Sequence, residues 1–327
     1  MEYRNLGKTG LTVTPLCLGT MQFGWTADEG TSIKILTRAA ERGINFIDTA
    51  DVYSRWAAGN PGGVAEGIIG KWLGMGIVRR DQIVLATKVR GRMGEGPNEQ
   101  GLSRLHITEA VKNSLRRLGT DYIDLYQTHS VDPETPIDET LRALDDLVHQ
   151  GVVRYLGCSN YPTWRLMQAL WSSDRMGLEG FVCLQPEYSL LARQQYEQEL
   201  EQVCQTYGLG VIPYSPLARG FLTGKYRRDE PPPADGRLAG SPRLEEYARE
   251  ERVWQVLASL KELGRKHAAS PSQLALAWLL QRPTVTSPII GPRSIEQLDD
   301  NLGALEVRLE PQEVAELDQV SAWMSPS

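Results

Sequence analysis

The feature that most constrains the fold of this chain is the alternation of eight short apolar runs with segments of helical periodicity. The runs are VTPLCLGT (13–20), NFIDTA (45–50), QIVLATKV (82–89), IDLYQTH (123–129), VRYLGCSN (153–160), FVCLQPEY (181–188), GVIPYSP (210–216) and SPIIGP (287–292). They are apolar along most of their length, as expected for strands that are covered on both faces. Eight strand–helix pairs predict an α/β fold, a (β/α)8 or TIM barrel, with residues 1–327 as a single domain.

Local signals predict several further boundaries. The segment YRNLGKTGL predicts a small β-hairpin around Gly7–Gly10, ahead of the first barrel strand. Gly119 is expected to end one helix, and Thr135 and Ser270 are each expected to cap another, because a proline follows each of them. Two connections, 54–63 and 217–250, are longer than a barrel needs. Both leave the carboxyl ends of strands, where barrels carry their active sites.

Four proton-transfer groups are predicted at that end of the barrel. Asp48, Lys88 and His129 lie at or near the ends of the second, third and fourth strands, and Tyr53 follows in the loop after Asp48. A phenol is a weak acid at neutral pH unless neighbouring groups tune it, and a lysine held charged by Asp48 would favour the phenolate. Each residue alone fits a structural cap or ion pair, but their combination on one rim predicts a catalytic site.

Polar groups at the ends of later strands predict a site for a planar heterocycle. Ser159 and Asn160 end the fifth strand, Gln185 lies in the sixth, and Tyr214 and Ser215 lie in the seventh. Amides and a hydroxyl bind a carboxamide, and an aromatic ring stacks on a planar ring, as a nicotinamide requires. The alternative is that Asn160 and Ser215 merely cap the helices that follow them.

Phosphate binding is predicted near the last two strands. No G-x-G-x-x-G follows a strand, which argues against a Rossmann fold. Ser294 is expected to cap a helix whose amino terminus offers N–H groups to an anion, with Arg293 beside it. Gly220 and Lys225, in the loop after the seventh strand, are placed to approach a pyrophosphate.

Composition restricts the partners. The net charge of −6 argues against nucleic acid or an anionic membrane as the main partner. No apolar stretch reaches 18 residues and the amino terminus shows no targeting pattern, so a cytoplasmic protein is expected. The four cysteines form no C-x-x-C pair, and no histidine has a second ligand at metal spacing, so no metal is expected.

Along essentially its whole length the chain resembles the aldo-keto reductase family. Asp48, Tyr53, Lys88 and His129 match that family's catalytic tetrad, and GCSN, LQPEYS, YSPLARGFLTGKY and GPRSIEQLDDN match its cofactor-binding segments. The resemblance implies a metal-free reductase in which NAD(P)H lies across the barrel mouth. It implies cofactor contacts from Gly19, Thr20, Met21, Asp48, Ser159, Asn160, Gln185, Tyr214, Ser215, Pro216, Leu217, Gly220, Lys225, Ile290, Gly291, Arg293, Gln297 and Asn301.

The resemblance also implies which part of the cofactor each of these residues would contact. Ser159, Asn160 and Gln185 would hold the carboxamide, and Tyr214 would stack on the ring. Ser215, Leu217, Gly220 and Lys225 would border the pyrophosphate, and Gly291, Arg293, Gln297 and Asn301 the adenosine phosphate and adenine. Many members carry Lys–Ser where this chain has Gly291–Pro292, which leaves Arg293 as the main cation. NADPH is therefore expected, with NADH possible, and residues 217–250 are expected to fold partly over it.

The expected substrate is a small aldehyde or ketone, and the expected assembly is a monomer or small homo-oligomer. Trp25 and Trp56, in loops after the first two strands, are candidate walls of its pocket. Two other functions stay open at this stage. One is a non-catalytic or regulatory NADP(H)-binding barrel of the same family. The other is a lyase with Lys88 as a Schiff-base lysine, which the adjacent Asp48 disfavours because it keeps the amine protonated.

Overall fold

The computed structural model of the chain describes residues 2–228, 230–233, 236, 238 and 241–323. The strands within these ranges are β1 (Arg4–Asn5), β2 (Thr12–Val13), β3 (Cys17–Gly19), β4 (Phe46–Asp48), β5 (Val84–Val89), β6 (Ile123–Thr128), β7 (Val153–Ser159), β8 (Phe181–Gln185), β9 (Gly210–Val211) and β10 (Ile289–Ile290). The α-helices are α1 (Glu29–Glu41), α2 (Val64–Gly74), α3 (Arg104–Leu118), α4 (Ile137–His149), α5 (Thr163–Met176), α6 (Glu201–Tyr207), α7 (Pro242–Arg249), α8 (Glu251–His267), α9 (Pro271–Leu280), α10 (Ile295–Leu302) and α11 (Pro311–Val320). Single turns of other helix types occur at Arg80–Gln82, Tyr196–Leu200, Ala218–Thr223 and Gly303–Glu306.

Eight of the described strands form one parallel sheet in the order β10-β3-β4-β5-β6-β7-β8-β9. Its two edges are joined by backbone hydrogen bonds from Thr286 N to Val211 O (2.8 Å) and from Ile289 N to Pro213 O (2.8 Å). The sheet therefore curls round on itself, and helices between successive strands cover its outer face. This confirms the predicted (β/α)8 architecture, because each of the eight predicted runs contains one strand of this sheet.

The β1–β2 hairpin closes the amino-terminal end of the barrel. Leu6 and Val13 are fully buried and pack with Phe46 and Val84, the first residues of β4 and β5. Gly7 has a φ of 59°, and a Cβ there would lie 2.6 Å from Gly208 O, so this close approach requires glycine. The predicted hairpin is confirmed. The first apolar run, however, is divided, because Val13 pairs antiparallel with Arg4 and the barrel strand begins at Cys17.

Most of the predicted helix boundaries agree with the structure. Gly119 ends α3 in a left-handed conformation, and Ser270 caps α9 together with Gln273. The prediction for Thr135 is wrong, since Pro136 precedes the first residue of α4. The hydroxyl of Thr135 donates instead to Asp132 Oδ2 (2.7 Å), which ties the β6–α4 loop to itself. In the described ranges, no helix combines the length and apolar character needed to cross a bilayer.

The described part of the 217–250 connection is packed against the barrel. Phe221 is fully buried, and its ring centroid lies 5.2 Å from those of Tyr226 and Tyr247 and 5.5 Å from that of Trp254. Arg243 on α7 pairs with Glu187 after β8 (2.6 Å). Residues 229, 234, 235, 237, 239 and 240 lie outside the described residues. The prediction that this connection folds over a cofactor stays a prediction.

Candidate active site

Neighbouring parallel strands bring the four predicted proton-transfer groups to one rim. Asp48 is the last residue of β4, Lys88 lies one residue before the end of β5, and His129 directly follows β6. The carboxyl ends of parallel strands meet at one edge of the sheet, so these side chains converge. Tyr53 returns to them through a turn in which Ser54, with a φ of 71°, donates its hydroxyl hydrogen to Phe23 O.

Lys88 is the centre of this cluster. Within the described residues, its Nζ donates to Asp48 Oδ2 (2.5 Å), Tyr53 Oη (2.9 Å) and Thr49 O (2.9 Å). An ammonium group has three hydrogens, so these acceptors use all of them. Burial lowers the pKa of Lys88, but the charge and hydrogen bonds of Asp48 and Tyr53 outweigh it, so the pKa is raised. Lys88 is therefore charged, which counts against the Schiff-base alternative.

Two amide side chains hold the other oxygen of Asp48. Gln127 Nε2 and Gln185 Nε2 donate to Asp48 Oδ1 at 3.0 Å and 2.9 Å, and Gln185 Nε2 also lies 3.2 Å from Gln127 Oε1. Asp48 is 1% exposed and Lys88 0% exposed, so the pair is shielded from solvent. A buried charge needs this kind of complete hydrogen bonding. The arrangement fixes the carboxylate, and through it the ammonium, before any ligand binds.

His129 is an uncharged imidazole beside the phenol. Burial, followed by the positive charges of Lys88 and Arg90, lowers the pKa of His129 to about 3. Its ring centroid lies 5.8 Å from that of Tyr53, at an interplanar angle of 75°. Asn160 Nδ2 donates to the backbone oxygen of His129 (2.9 Å). At neutral pH this imidazole offers one N–H donor and one nitrogen acceptor towards a ligand.

The tetrad opens into a cavity of about 690 Å³. Tyr53, His129, Asp48 and Trp56 line it, while Lys88 lies behind them, fully buried. Every residue predicted to contact a cofactor lines the same cavity: Gly19, Thr20, Met21, Asp48, Ser159, Asn160, Gln185, Tyr214, Ser215, Pro216, Leu217, Gly220, Lys225, Ile290, Gly291, Arg293, Gln297 and Asn301. The structure thus brings the predicted residues together around one cavity.

Asn160 and Ser215 do not cap helices. Asn160 has a φ of 56° and accepts a hydrogen bond from Tyr214 Oη (2.9 Å), whereas α5 begins after Pro162. Ser215 has a φ of 53°, and Leu217 rather than Ser215 directly precedes the helical turns at Ala218–Thr223. Left-handed backbone is uncommon for residues other than glycine and is concentrated at functional sites. The capping alternative is therefore not supported for either residue.

The far side of the cavity fits an anionic, elongated ligand. Ser294 caps α10 as predicted, and its Oγ accepts from Gln297 N (3.3 Å). Arg293 lies at this helix amino terminus, where N–H groups favour an anion. Two buried polar atoms of the lining have no hydrogen-bond partner within the described residues, Gln22 Oε1 and Arg219 Nε. Orphaned polar atoms in a cavity of this size are suited to hydrogen bonding with a polar ligand.

Of the two candidate tryptophans, Trp56 lines the cavity and Trp25 supports it. The ring centroids of Trp25 and Trp56 lie 5.7 Å apart in an edge-to-face contact, and Trp56 lies 6.2 Å from Tyr53. Trp56 remains 48% exposed, which leaves an apolar face beside the phenol. Within the described residues, no three His, Cys, Asp or Glu side chains are grouped as metal ligands.

Sequence reasoning missed part of the site. Gln127 lies inside the apolar run of β6, and the only local signal was an amide two residues before His129. Eight other lining residues were not predicted from the sequence as ligand contacts. These are Gln22, Arg219, Thr223, Ser270, Ser272, Ile289, Glu296 and Asp300.

Comparison with known proteins agrees with the geometry. The family model described as the Aldo/keto reductase family matches residues 15–322. The chain is 42% identical to the uncharacterized oxidoreductase YrpG of Bacillus subtilis, over 98% of this chain and 96% of that protein. It is 38% identical to a probable voltage-gated potassium channel subunit beta of Arabidopsis thaliana (94% and 92%). It is 34% identical to the versiconal hemiacetal acetate reductase of Aspergillus parasiticus (98% and 96%).

Proposed function

The chain belongs to the aldo/keto reductase family, and from this premise we propose that it interconverts an aldehyde or ketone and its alcohol, with a nicotinamide cofactor and with Tyr53 as general acid and base. The observation that carries the proposal is the 2.9 Å contact between Lys88 Nζ and Tyr53 Oη, made while Nζ also bonds to Asp48 at 2.5 Å. The nicotinamide, when bound, supplies the hydride. All other groups that the reaction needs belong to the chain.

Tyr53 Oη donates its proton to the carbonyl oxygen in the direction of reduction. The phenolate that remains lies beside the charged Lys88, and this proximity stabilises the anion. In the direction of oxidation the same phenolate accepts the proton of the alcohol. Because Asp48 and Thr49 O hold the other hydrogens of Nζ, Lys88 keeps its position while the charge on Tyr53 changes.

His129 orients the carbonyl rather than supplying the proton. Its low pKa keeps the imidazole neutral throughout the physiological range, so it is a poor proton donor but a good hydrogen-bond donor. It lies against the Tyr53 ring, and both line the cavity. A carbonyl oxygen placed between the two side chains would accept a hydrogen bond from each. That geometry directs the proton of Tyr53 to the correct atom.

The cofactor is expected to be NADPH, with NADH as a weaker alternative. Ser159, Asn160 and Gln185 would bind the carboxamide, since their hydroxyl and amide groups face one cavity with Tyr214 beside them. Arg293, at the amino terminus of α10, is the residue that favours an additional phosphate. The cavity lining and its orphaned polar atoms fit such a ligand.

Replacing Tyr53 by phenylalanine tests the proposal. We expect kcat for reduction of an aromatic aldehyde to fall about 100- to 10,000-fold, while the dissociation constant for NADPH changes little. Tyr122→Phe is the matched control, because Tyr122 stacks between Arg80 and Arg154 away from the cavity. Turnover by Tyr53→Phe at the unmodified rate, followed by absorbance of NADPH, would remove Tyr53 from the mechanism.

A second candidate function is regulatory nicotinamide binding with little or no turnover. The likeness to proteins named as probable potassium channel beta subunits, at 38% and 37% identity, favours it. The complete tetrad favours catalysis instead. A panel of aldehydes and ketones assayed with NADPH separates the two, since a regulatory protein would bind the cofactor and leave every carbonyl compound unreduced.

A further inference from the structure

Arg90 occupies an unusual position beside the tetrad. It directly follows β5, and the register Val89↔Thr128, with His129 N donating to Val89 O (2.9 Å), places Arg90 next to His129 on the rim. Its φ of 133° lies in the region that favours glycine, and Gly91 follows it. Residues in such strained backbone conformations cluster at active sites and ligand-binding positions, and Arg90 lies beside a cavity-lining imidazole.

The guanidinium of Arg90 makes no hydrogen bond or ion pair within the described residues. Its Nε is buried without a partner, although the residue as a whole is only half-buried. Asp132 lies close enough to interact with it electrostatically, but that carboxylate bonds to Leu102 N (2.7 Å), Glu134 N (3.0 Å) and Thr135 Oγ1 (2.7 Å). Among the described residues, the charge of Arg90 therefore has no direct acceptor.

Two arginines near Arg90 on the same rim are engaged. Arg92, two residues further on, donates from Nη1 to Gly94 O (3.2 Å). Arg55, in the loop after β4, pairs with Glu95 (3.4 Å). A half-buried guanidinium without an acceptor is unfavourable unless a ligand completes its hydrogen bonds. Arg90 thus differs from Arg92 and Arg55 in the way expected of a ligand-binding group.

We propose that Arg90 selects carbonyl substrates that also carry an anionic group, specifically a carboxylate. The inference rests on the proposed reductase function and names its substrate class. The planar guanidinium donates two parallel hydrogen bonds to a carboxylate, which a neutral ester cannot accept with the same strength. Trp56, which lines the cavity beside Tyr53, offers an apolar face for the body of such a substrate. An aromatic aldehyde with a ring carboxylate meets both requirements.

The test compares 4-carboxybenzaldehyde with methyl 4-formylbenzoate, which differ in charge but hardly in shape. For the unmodified protein, kcat/KM should be at least about tenfold higher for the carboxylate, and the preference should shrink as ionic strength rises. Arg90→Gln should lower kcat/KM for the carboxylate about 10- to 100-fold, mainly through KM. The ester should change little, and Arg90→Lys should be intermediate. Arg92→Gln is the control and should leave the preference intact.

Each alternative outcome is distinct. Equal kcat/KM for both compounds, unaltered in Arg90→Gln, would overturn the inference and leave the reductase function standing. An equal fall in kcat for both compounds, with a shifted pH profile, would mean that Arg90 acts through His129 and would likewise overturn it. If no carbonyl compound is reduced, the proposed function fails, and calorimetric binding of 4-(hydroxymethyl)benzoate to the two proteins decides the role of Arg90. Should Arg90→Gln not fold, the inference is tested by Arg90→Lys and by the salt dependence of the unmodified protein. A carboxylate preference that changes in neither experiment would overturn it.

Discussion

Replacing Lys88 by methionine tests the buried charge pair on which the proposed chemistry depends. The substitution removes the ammonium and leaves Asp48 buried, with the amides of Gln127 and Gln185 as its remaining side-chain donors among the described residues. Removing one partner of a buried ion pair costs about 3–5 kcal/mol of stability, because the remaining charge is uncompensated. We expect this loss in the free energy of unfolding of Lys88→Met, together with loss of turnover.

The double variant makes the prediction quantitative. Asp48→Asn alone leaves the ammonium of Lys88 with Thr49 O and Tyr53 Oη, so it should also be costly. Asp48→Asn combined with Lys88→Met removes both charges. The cost of the double variant should therefore be smaller than the sum of the single costs by about 2 kcal/mol or more. A coupling of this size is expected only for residues in direct contact.

The assay is urea unfolding at pH 7, followed by the fluorescence of the eight tryptophans. Lys112→Met is the matched control, because Lys112 pairs with Glu109 at 2.8 Å and both side chains are more than half exposed. An exposed pair of this kind contributes about 0.5 kcal/mol or less. If Lys88→Met cost no more than Lys112→Met, or if the two single costs were additive, the reasoning from the buried pair would be wrong.

Three further predictions follow from the site. His129 has a folded pKa of about 3 against an unfolded value near 6.5, so the unfolded state binds a proton first as the pH falls. The free energy of unfolding should therefore drop by about 4 kcal/mol between pH 7 and pH 3. In His129→Gln, the urea midpoint should fall less steeply over the same pH range. Arg293→Gln should reduce the ratio of NADPH to NADH affinity by about tenfold or more, measured by fluorescence titration, whereas Lys112→Met should not change that ratio. Residues 217–250 should gain hydrogen-exchange protection when NADPH binds; no added protection there would contradict the predicted closure over the cofactor.

The strands and the tetrad could be predicted because the patterns that indicate them lie within short stretches of sequence. Each barrel strand is a short apolar run, and a polar residue that ends such a run can point only to the carboxyl-terminal rim. Asp48, Lys88 and His129 satisfy this rule, so their convergence could be predicted without knowledge of any contact. The boundary at Val13 failed because the residue is equally apolar in the hairpin and in a barrel strand.

What sequence could not provide depends on contacts between distant segments. The sequence around Gln127 does not show which group its amide binds, because its partner Asp48 lies 79 residues away. The left-handed backbone at Asn160 is imposed by bonds to Tyr214 and to the backbone of His129. Nothing in the local sequence distinguishes Arg90 from the arginines near it. Only the assembled rim shows that its guanidinium lacks an acceptor among the described residues.

The plug formed by the β1–β2 hairpin has a practical consequence. Since Leu6 and Val13 fill the base of the barrel, reactants and products must pass through the opposite mouth. A solubility tag or a linker to a solid support, attached before Arg4, would therefore lie at the end of the barrel opposite to the one through which substrate, cofactor and product pass. Immobilisation through that end should leave the entrance unobstructed, whereas attachment near Trp56 should block it.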